Sequence, residues 1–324
     1  MKTRGYIDFL NSRDLSNEAI EESVEYVRRY EEYLRDRGKT LESADEADLW
    51  QYTTVLIENG NNTYDVFHAL ARYAYFVGNL KTYLGILELT DGAEVLDVLY
   101  ESISKNAGKD VRDRVFKGLS LPPLGLLPSK KIRLAEMVVN RLEREADSKT
   151  CKKILADVAH GIPRKHYEKE RQKFLDAGSL EEYVKRKRTE ALTELKKHRD
   201  EGTLFYTQEI TDDVLQFVRS RLDILSGELR ANTVYHTKIP YMSKEYLEET
   251  DERMKRYYYC HCPWARESIL DDDVDVSSML CHCSAGFTKQ PWEVALDRPL
   301  KIKKIKSVLD GDIECSFEID LSQE

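Results

Sequence analysis

Apolar residues recur every three or four positions through the first hundred residues, which predicts a run of helices. Ile20, Val24, Val27 and Leu34 form one stripe, with Leu15-Ser16 ahead of it as staple and cap and Gly38 as its stop. A second helix is predicted over 46–58, closed by Asn59-Gly60, and a third over 63–77 with Val66, Phe67, Leu70, Tyr73, Ala74 and Val77 on one side. A fourth, over about 92–104, carries Val95, Leu96, Val98 and Leu99. Residues 121–128 then read Leu-Pro-Pro-Leu-Gly-Leu-Leu-Pro, which cannot be helix. The fixed proline φ makes this stretch a stiff connector, and its leucines suit it to lie on a surface. Helices resume with the stripe Ile132, Leu134, Ala135, Val138 and Leu142, and again with Cys151, Ile154, Leu155 and Val158. Ser179 caps a further helix that runs to about Arg199.

Beyond residue 200 the period shortens to two. Residues 204–207 and 233–237 read as strands, and Thr211 caps a helix between them. At the C-terminus Ile313, Cys315, Phe317, Ile319 and Leu321 alternate with Glu314, Ser316, Glu318 and Asp320, as a half-buried strand requires. Asp310-Gly311 joins it to residues 300–308 as a hairpin. This alternation places Cys315 with the core. The expected fold is α+β: an all-helical module over 1–105, a proline-rich connector over 106–128, and a helix-rich domain over 129–324 with a small, mostly antiparallel sheet.

Charge narrows the function classes. The 324 residues include 50 Lys and Arg against 59 Asp and Glu, a net charge of −9, which argues against a protein devoted to coating nucleic acid. Lys185-Arg-Lys-Arg188 is locally basic, but Glu181, Glu182, Glu190 and Glu194 interleave with it, as on a solvated helix face. No apolar run approaches the roughly 20 residues that span a bilayer. The start has no hydrophobic secretory core, so a cytoplasmic protein without a membrane partner is expected.

The chemistry lies in the cysteines. Of six, four fall in two Cys-His-Cys triplets at 260–262 and 281–283. In a reducing compartment, clustered thiols point to metal, redox or nucleophilic chemistry rather than to a disulfide framework. Each triplet reads as the end of a strand that gives way to a helix, Pro263 suiting a first helical position and Ser284 a cap. Strand alternation sends Cys260, Cys262, Cys281 and Cys283 to one face and both histidines to the other. Paired, the two stretches present four sulfurs to zinc. The fit is imperfect, because residues i and i+2 of a strand lie about 6.6 Å apart, whereas Zn–S bonds near 2.3 Å imply sulfurs about 3.8 Å apart.

A nucleophilic reading stands beside it. Cys283 at a helix N-terminus would hold a stabilised thiolate, with His236 or His160 as base and Gly286 allowing close approach. Buried small thiols that simply pack well are the third reading. Arg266, Lys289, His236 and Trp264 are the candidate contacts for a small anionic ligand. The acidic run 271–275 lacks the glycine and distal glutamate of a calcium loop.

Two resemblances accompany these residues. Residues 8–90 resemble the core-binding domain of tyrosine recombinases, through Tyr-Leu-Arg-Asp-Arg-Gly at 33–38, Ala-Asp-Leu-Trp-Gln-Tyr at 47–52 and Ala-Arg-Tyr-Ala-Tyr-Phe at 71–76. No recombinase catalytic constellation follows, so the resemblance implies a fold and leaves contact with DNA as one expectation. The run from His236 through both triplets to Gly311-Asp312, Cys315 and Phe317 looks like an uncharacterised prokaryotic family. Its ending is similar to 4-vinyl reductase-type small-molecule-binding domains and to thiazoline-carboxylate hydrolase-like proteins. That resemblance implies a ligand-binding α+β domain with zinc as a candidate component, and assigns no reaction. Three functions are therefore expected in turn: a zinc-stapled binding or sensory protein, a cysteine hydrolase of a small amide- or thiazoline-like substrate, and a DNA-contacting regulator.

Overall fold

A computed structural model describes residues 1–322 and is α+β, rich in helix with small antiparallel sheets. It divides into two compact units, residues 1–93 with 121–130, and residues 94–120 with 131 onward.

The first unit holds α1 (Thr3–Asn11), α2 (Asn17–Arg35), α3 (Glu46–Glu58), α4 (Tyr64–Phe76) and α5 (Leu80–Thr90). Local chemistry sets their starts. Ser16 accepts from the Ala19 amide, Asp45 and Asp48 form a reciprocal capping box, and Thr63 accepts from the Val66 amide. Helix α5, capped by Asn79, escapes the sequence pattern because its apolar residues run nearly all round it. The proline-rich stretch packs as its leucines suggest. Gly125 has φ +85° and sits so close that a Cβ there would come within 2.6 Å of Phe67, while Asn62 donates to the Leu124 carbonyl at 2.9 Å.

The second unit holds α6 (Val95–Ala107), α7 (Lys109–Val115), α8 (Pro128–Glu145, from residue 131), α9 (Ser148–Val158), α10 (Glu168–Ala177) and α11 (Leu180–Glu201). Then follow β1 (Leu204–Phe205), β2 (Gln208–Glu209), α12 (Asp212–Ser220), β3 (Glu228–Arg230), β4 (Thr233–Thr237), α13 (Ser243–Glu248) and α14 (Glu252–Tyr259). The chain closes with α15 (His282–Leu296), β5 (Lys301–Lys306) and β6 (Ser316–Asp320). The division thus differs from the one read in the sequence: α6 belongs to the second unit, where Ser102 donates to the Ile154 carbonyl of α9 at 2.9 Å.

Strands β3-β4-β6-β5 form one antiparallel sheet, with Val234 opposite Ile319 and His236 opposite Phe317. Val234 and Ile319 are buried with Trp292 of α15 and Tyr183 of α11. The C-terminal alternation is realised, Cys315, Phe317, Ile319 and Leu321 being buried between more accessible neighbours. The strand itself begins only at Ser316, and Ile313 is exposed. Strand β5 is an edge strand carrying Lys301, Lys303, Lys304 and Lys306.

One helix crossing fixes the interior of this unit. Helix α15 approaches α9 so closely at Gly286 that a Cβ there would lie 1.8 Å from the Ala156 carbonyl oxygen. The glycine admits backbone, as its sequence context suggested, and only hydrogen fits. Gly286→Ala is expected to force the helices apart and cost about 1–3 kcal/mol or more. Urea unfolding should register that loss, and an unchanged midpoint would contradict the crossing.

Candidate functional site

Cys260, Cys262, Cys281, Cys283 and Cys315 line one small cavity of ≈ 30 Å³, together with His160, His261 and Lys238. That is about the room of a single water, far below the several hundred Å³ of a substrate pocket. All six thiols of the chain are free. The two triplets therefore converge, and Cys315, read from the sequence as core alone, joins them while staying buried.

The route to convergence differs from paired strands. Residues 257–259 end α14, residues 278–281 form a 3₁₀ turn, and Cys283 lies in the first turn of α15. Residues 260–262 are extended coil ahead of Pro263, and the Cys262 carbonyl accepts from the Ala265 and Arg266 amides. Tyrosine repeats and a short apolar run mimic a strand, but capping by Asp251 and Ser277 decides for helix. Without strand alternation the histidines part company. His261 lines the cavity and holds the Ile239 carbonyl at 2.6 Å through Nε2, whereas His282 does not line it.

Lys238 enters because the β4–β6 ladder continues past its strands: the Lys238 amide donates to the Cys315 carbonyl at 3.1 Å, setting the two residues side by side. Its side chain is buried, donates to Ser284 Oγ at 3.1 Å, and lies 5.2 Å from the Phe287 ring centre. Desolvation draws the ammonium pKa down, while thiolates at Cys315, Cys260, Cys262 and Cys283 would hold it up.

His160 is set by an uncommon backbone. Ala159, His160 and Gly161 take φ of 45°, 56° and 74°, three left-handed residues in succession after α9. Non-glycine residues pay about 1–3 kcal/mol each for such conformations. The turn aims the His160 amide at Cys283 Sγ, 3.0 Å away. Its Nε2 is shut off from solvent and has no hydrogen-bond partner. Nothing in sequence spacing marks this turn; the only trace is His160-Gly161 at a helix end.

Electrostatics set the thiols against themselves. Burial pushes Cys260 up to about 11 and Cys283 up to about 12, and raises Cys262, Cys281 and Cys315 as well. Yet each sulfur has a backbone amide that favours its thiolate: those of Cys262, Trp264, Leu309, His160 and Val308 for Cys260, Cys262, Cys281, Cys283 and Cys315 respectively. The first turn of α15 supplies the expected helix terminus at Cys283, but desolvation outweighs it. Among the described residues, no three His, Cys, Asp or Glu side chains are drawn together tightly enough to hold a metal ion.

The ligand contacts expected from sequence are not gathered at this cavity. His236 is enclosed in the sheet, and its Nδ1 has no hydrogen-bond partner. Arg266 is buried beside the Tyr241 ring, 4.6 Å from its centre; Lys289 pairs with Glu293 at 2.7 Å; Trp264 is buried with the Lys131 ammonium 5.7 Å from its ring. None of the four lines the cavity. Cys151 is buried in α9, within reach of the Leu142 and Ala146 carbonyls. The basic stretch of α11 is ion-paired, Arg186 to Glu182 and Lys187 to Glu170. The acidic run is tied down by Arg133 and Arg253. No helix among the described residues is long and apolar enough to cross a membrane. No family model, no curated protein and no solved structure matches the chain.

Two outcomes follow from these environments. Iodoacetamide at pH 7.5 should label the native cavity thiols more slowly than free cysteine and catch up once urea opens the fold; fast native labelling of Cys283 would contradict the burial. His236 is pushed down to about 3, first by desolvation and then by Lys238 and Lys187. The native state keeps it neutral while the unfolded chain protonates near 6.5, so stability is full above that pH and falls as pH drops toward 3. The slope is up to about 1.4 kcal/mol per pH unit. Urea unfolding at pH 7.5 and 5 should show a smaller difference in His236→Gln than in the parent chain.

Proposed function

We propose that the second unit is a metal–thiolate protein whose cysteines bind a metal centre at the junction of α9, α14, α15 and β6. The observation that carries this reading is the meeting of five thiols, three buried and two half-buried, from three separate stretches of chain, around one cavity with an amide favouring the thiolate at every sulfur. Buried neutral thiols gain little from such amides, whereas thiolates gain a great deal. A metal cation is the partner that turns the one into the other, since it binds the deprotonated sulfur and releases its proton.

The donor set of sulfur with imidazole suits zinc or iron rather than calcium or magnesium. Four thiolates outweigh a divalent ion by two charges, and the buried Lys238 ammonium is placed to offset part of that excess. His160 Nε2, otherwise without a partner, is a further donor at the wall. In this role the centre staples the C-terminal sheet to the helices and gives the unit a sensory capacity, because loss of metal would leave five thiols gathered around an unfilled space.

The hydrolase reading is less well supported. A cavity the size of one water leaves no place for a substrate, and the Cys283 thiol is pushed away from the thiolate that attack requires. The DNA reading attaches to the helical module over 1–105, and no observation on that module favours it.

Full-length protein purified without chelator should carry tightly held metal, about one equivalent if the centre is a single zinc. Stripping it should lower the midpoint of thermal unfolding by several degrees, and adding metal back should restore it. Protein that arrives without metal and is not stabilised by added zinc or ferrous iron would overturn the proposal.

A further inference from the structure

A second hollow, apart from the cysteines, is lined by four cations, Arg114, Lys117, Arg141 and Arg144, with Glu145 as its one acid. We infer that it binds the phosphate end of a small phosphorylated molecule, a site independent of the metal–thiolate reading above.

The hollow opens between the C-terminal end of α7, with the turn that follows it, and the last turn of α8, both within the second unit. Its walls are fixed by the protein itself. Phe116 is buried with its ring centre 5.1 Å from that of Tyr100, which anchors the end of α7 on α6. Arg141 donates through Nη1 to the Val115 and Lys117 carbonyls at 3.0 and 2.8 Å, clamping the turn onto α8. Arg114 reaches Glu145 through Nε at 2.6 Å, so its two terminal nitrogens stay available. The other acids nearby are already engaged: Asp113 pairs with Arg112 at 2.7 Å, and Asp147 accepts the amides that open α9. Among the described residues, the side chains of Lys117 and Arg144 meet no acid.

Charge selects the ligand class. Basic residues at a helix end answer the helix dipole, and that duty accounts for part of this lining. Two helix C-termini contribute about −0.5 each, whereas four cations against one carboxylate leave an excess of three positive charges. Some two charges stay unanswered. A phosphate monoester at neutral pH supplies them, with a charge of about −1.5 to −2 and three acceptor oxygens. Three guanidinium groups suit those oxygens, because each presents a planar fork that takes two at once. The hollow measures ≈ 290 Å³, near the lower end of small-molecule sites. The whole chain, at −9, works against a long polyanion, whose further phosphates would lie along an acidic molecule. A small ligand meets only the local excess.

Calorimetric titration of the full-length protein at low salt, with glycerol phosphate and inorganic phosphate as probes and glycerol as control, tests the inference. Saturable one-to-one binding of both probes is expected, and none of glycerol. Lys117→Gln and Arg144→Gln should each weaken binding about fivefold or more, and the two together should abolish it. Both side chains are exposed, so the midpoint of thermal unfolding should hold in these variants. Arg144→Lys, which keeps the charge and loses the fork, should fall between parent and Arg144→Gln, while Lys185→Gln on α11 should bind as the parent does. No binding of either probe up to about 20 mM would overturn the site, as would binding that survives the double substitution. Single-stranded DNA, or phosphatidylcholine vesicles containing phosphatidylinositol phosphate, held more tightly than glycerol phosphate and released by the double substitution, would overturn the small-molecule assignment.

Discussion

The contact on which the second unit turns is backbone on backbone: α15 against α9 at Gly286 and Ala156, too close for any side chain between them. Cys283 lies one turn before that point on α15, and His160 follows the end of α9. The crossing therefore sets the distance between a cavity sulfur and the amide that serves it. The left-handed turn at 159–161 completes the approach by bending the chain back as soon as α9 ends. Strain spent there is repaid by position, because an ordinary helix end would carry His160 away from Cys283.

Around this fixed frame the cavity holds opposing terms. Desolvation makes every thiol a poor acid and the lysine a poor base. Amides, and the lysine itself, favour the sulfur anions. Desolvation prevails while the groups stay unbridged; in the metal–thiolate reading proposed above, a cation shared among the sulfurs would reverse that balance. The same balance explains why the first turn of α15 does not make Cys283 a nucleophile. A helix terminus contributes about 0.3–2 kcal/mol, less than full burial of a charge costs.

Much of the architecture could be read from periodicity and capping. Helix α3 falls on the predicted 46–58, Thr63 and Thr211 cap as expected, and β4 spans 233–237. These elements succeed because their signals are local. The grouping of α6 with the second unit was hidden because it depends on a partner some fifty residues away, Ile154. At the cavity, the gathering of both triplets was legible from composition, while its geometry was not. Three tyrosines before Cys260 look like a strand, whose alternation would send both histidines to one face, but the Asp251 cap makes that stretch the end of a helix. Lys238 could not be foreseen, since its place depends on β4 pairing beyond its end with Cys315. Arg266, Lys289, Trp264 and His236 stand out in the sequence by their chemistry and nearness to the triplets, but the first three find their contacts elsewhere and His236 lies in the sheet with Nδ1 unpartnered.

The sheet also bears on how copies of this chain can meet. Its last strand, β5, offers the open side of its ladder behind lysines at 301, 303, 304 and 306, with Lys304 and Lys306 held by Asp310 and Glu314. A second strand laid along that border would crowd ammonium groups and break those pairs. The border is thus self-terminating, and growth of the sheet into a multi-chain ribbon is blocked on that flank by charge rather than by shape.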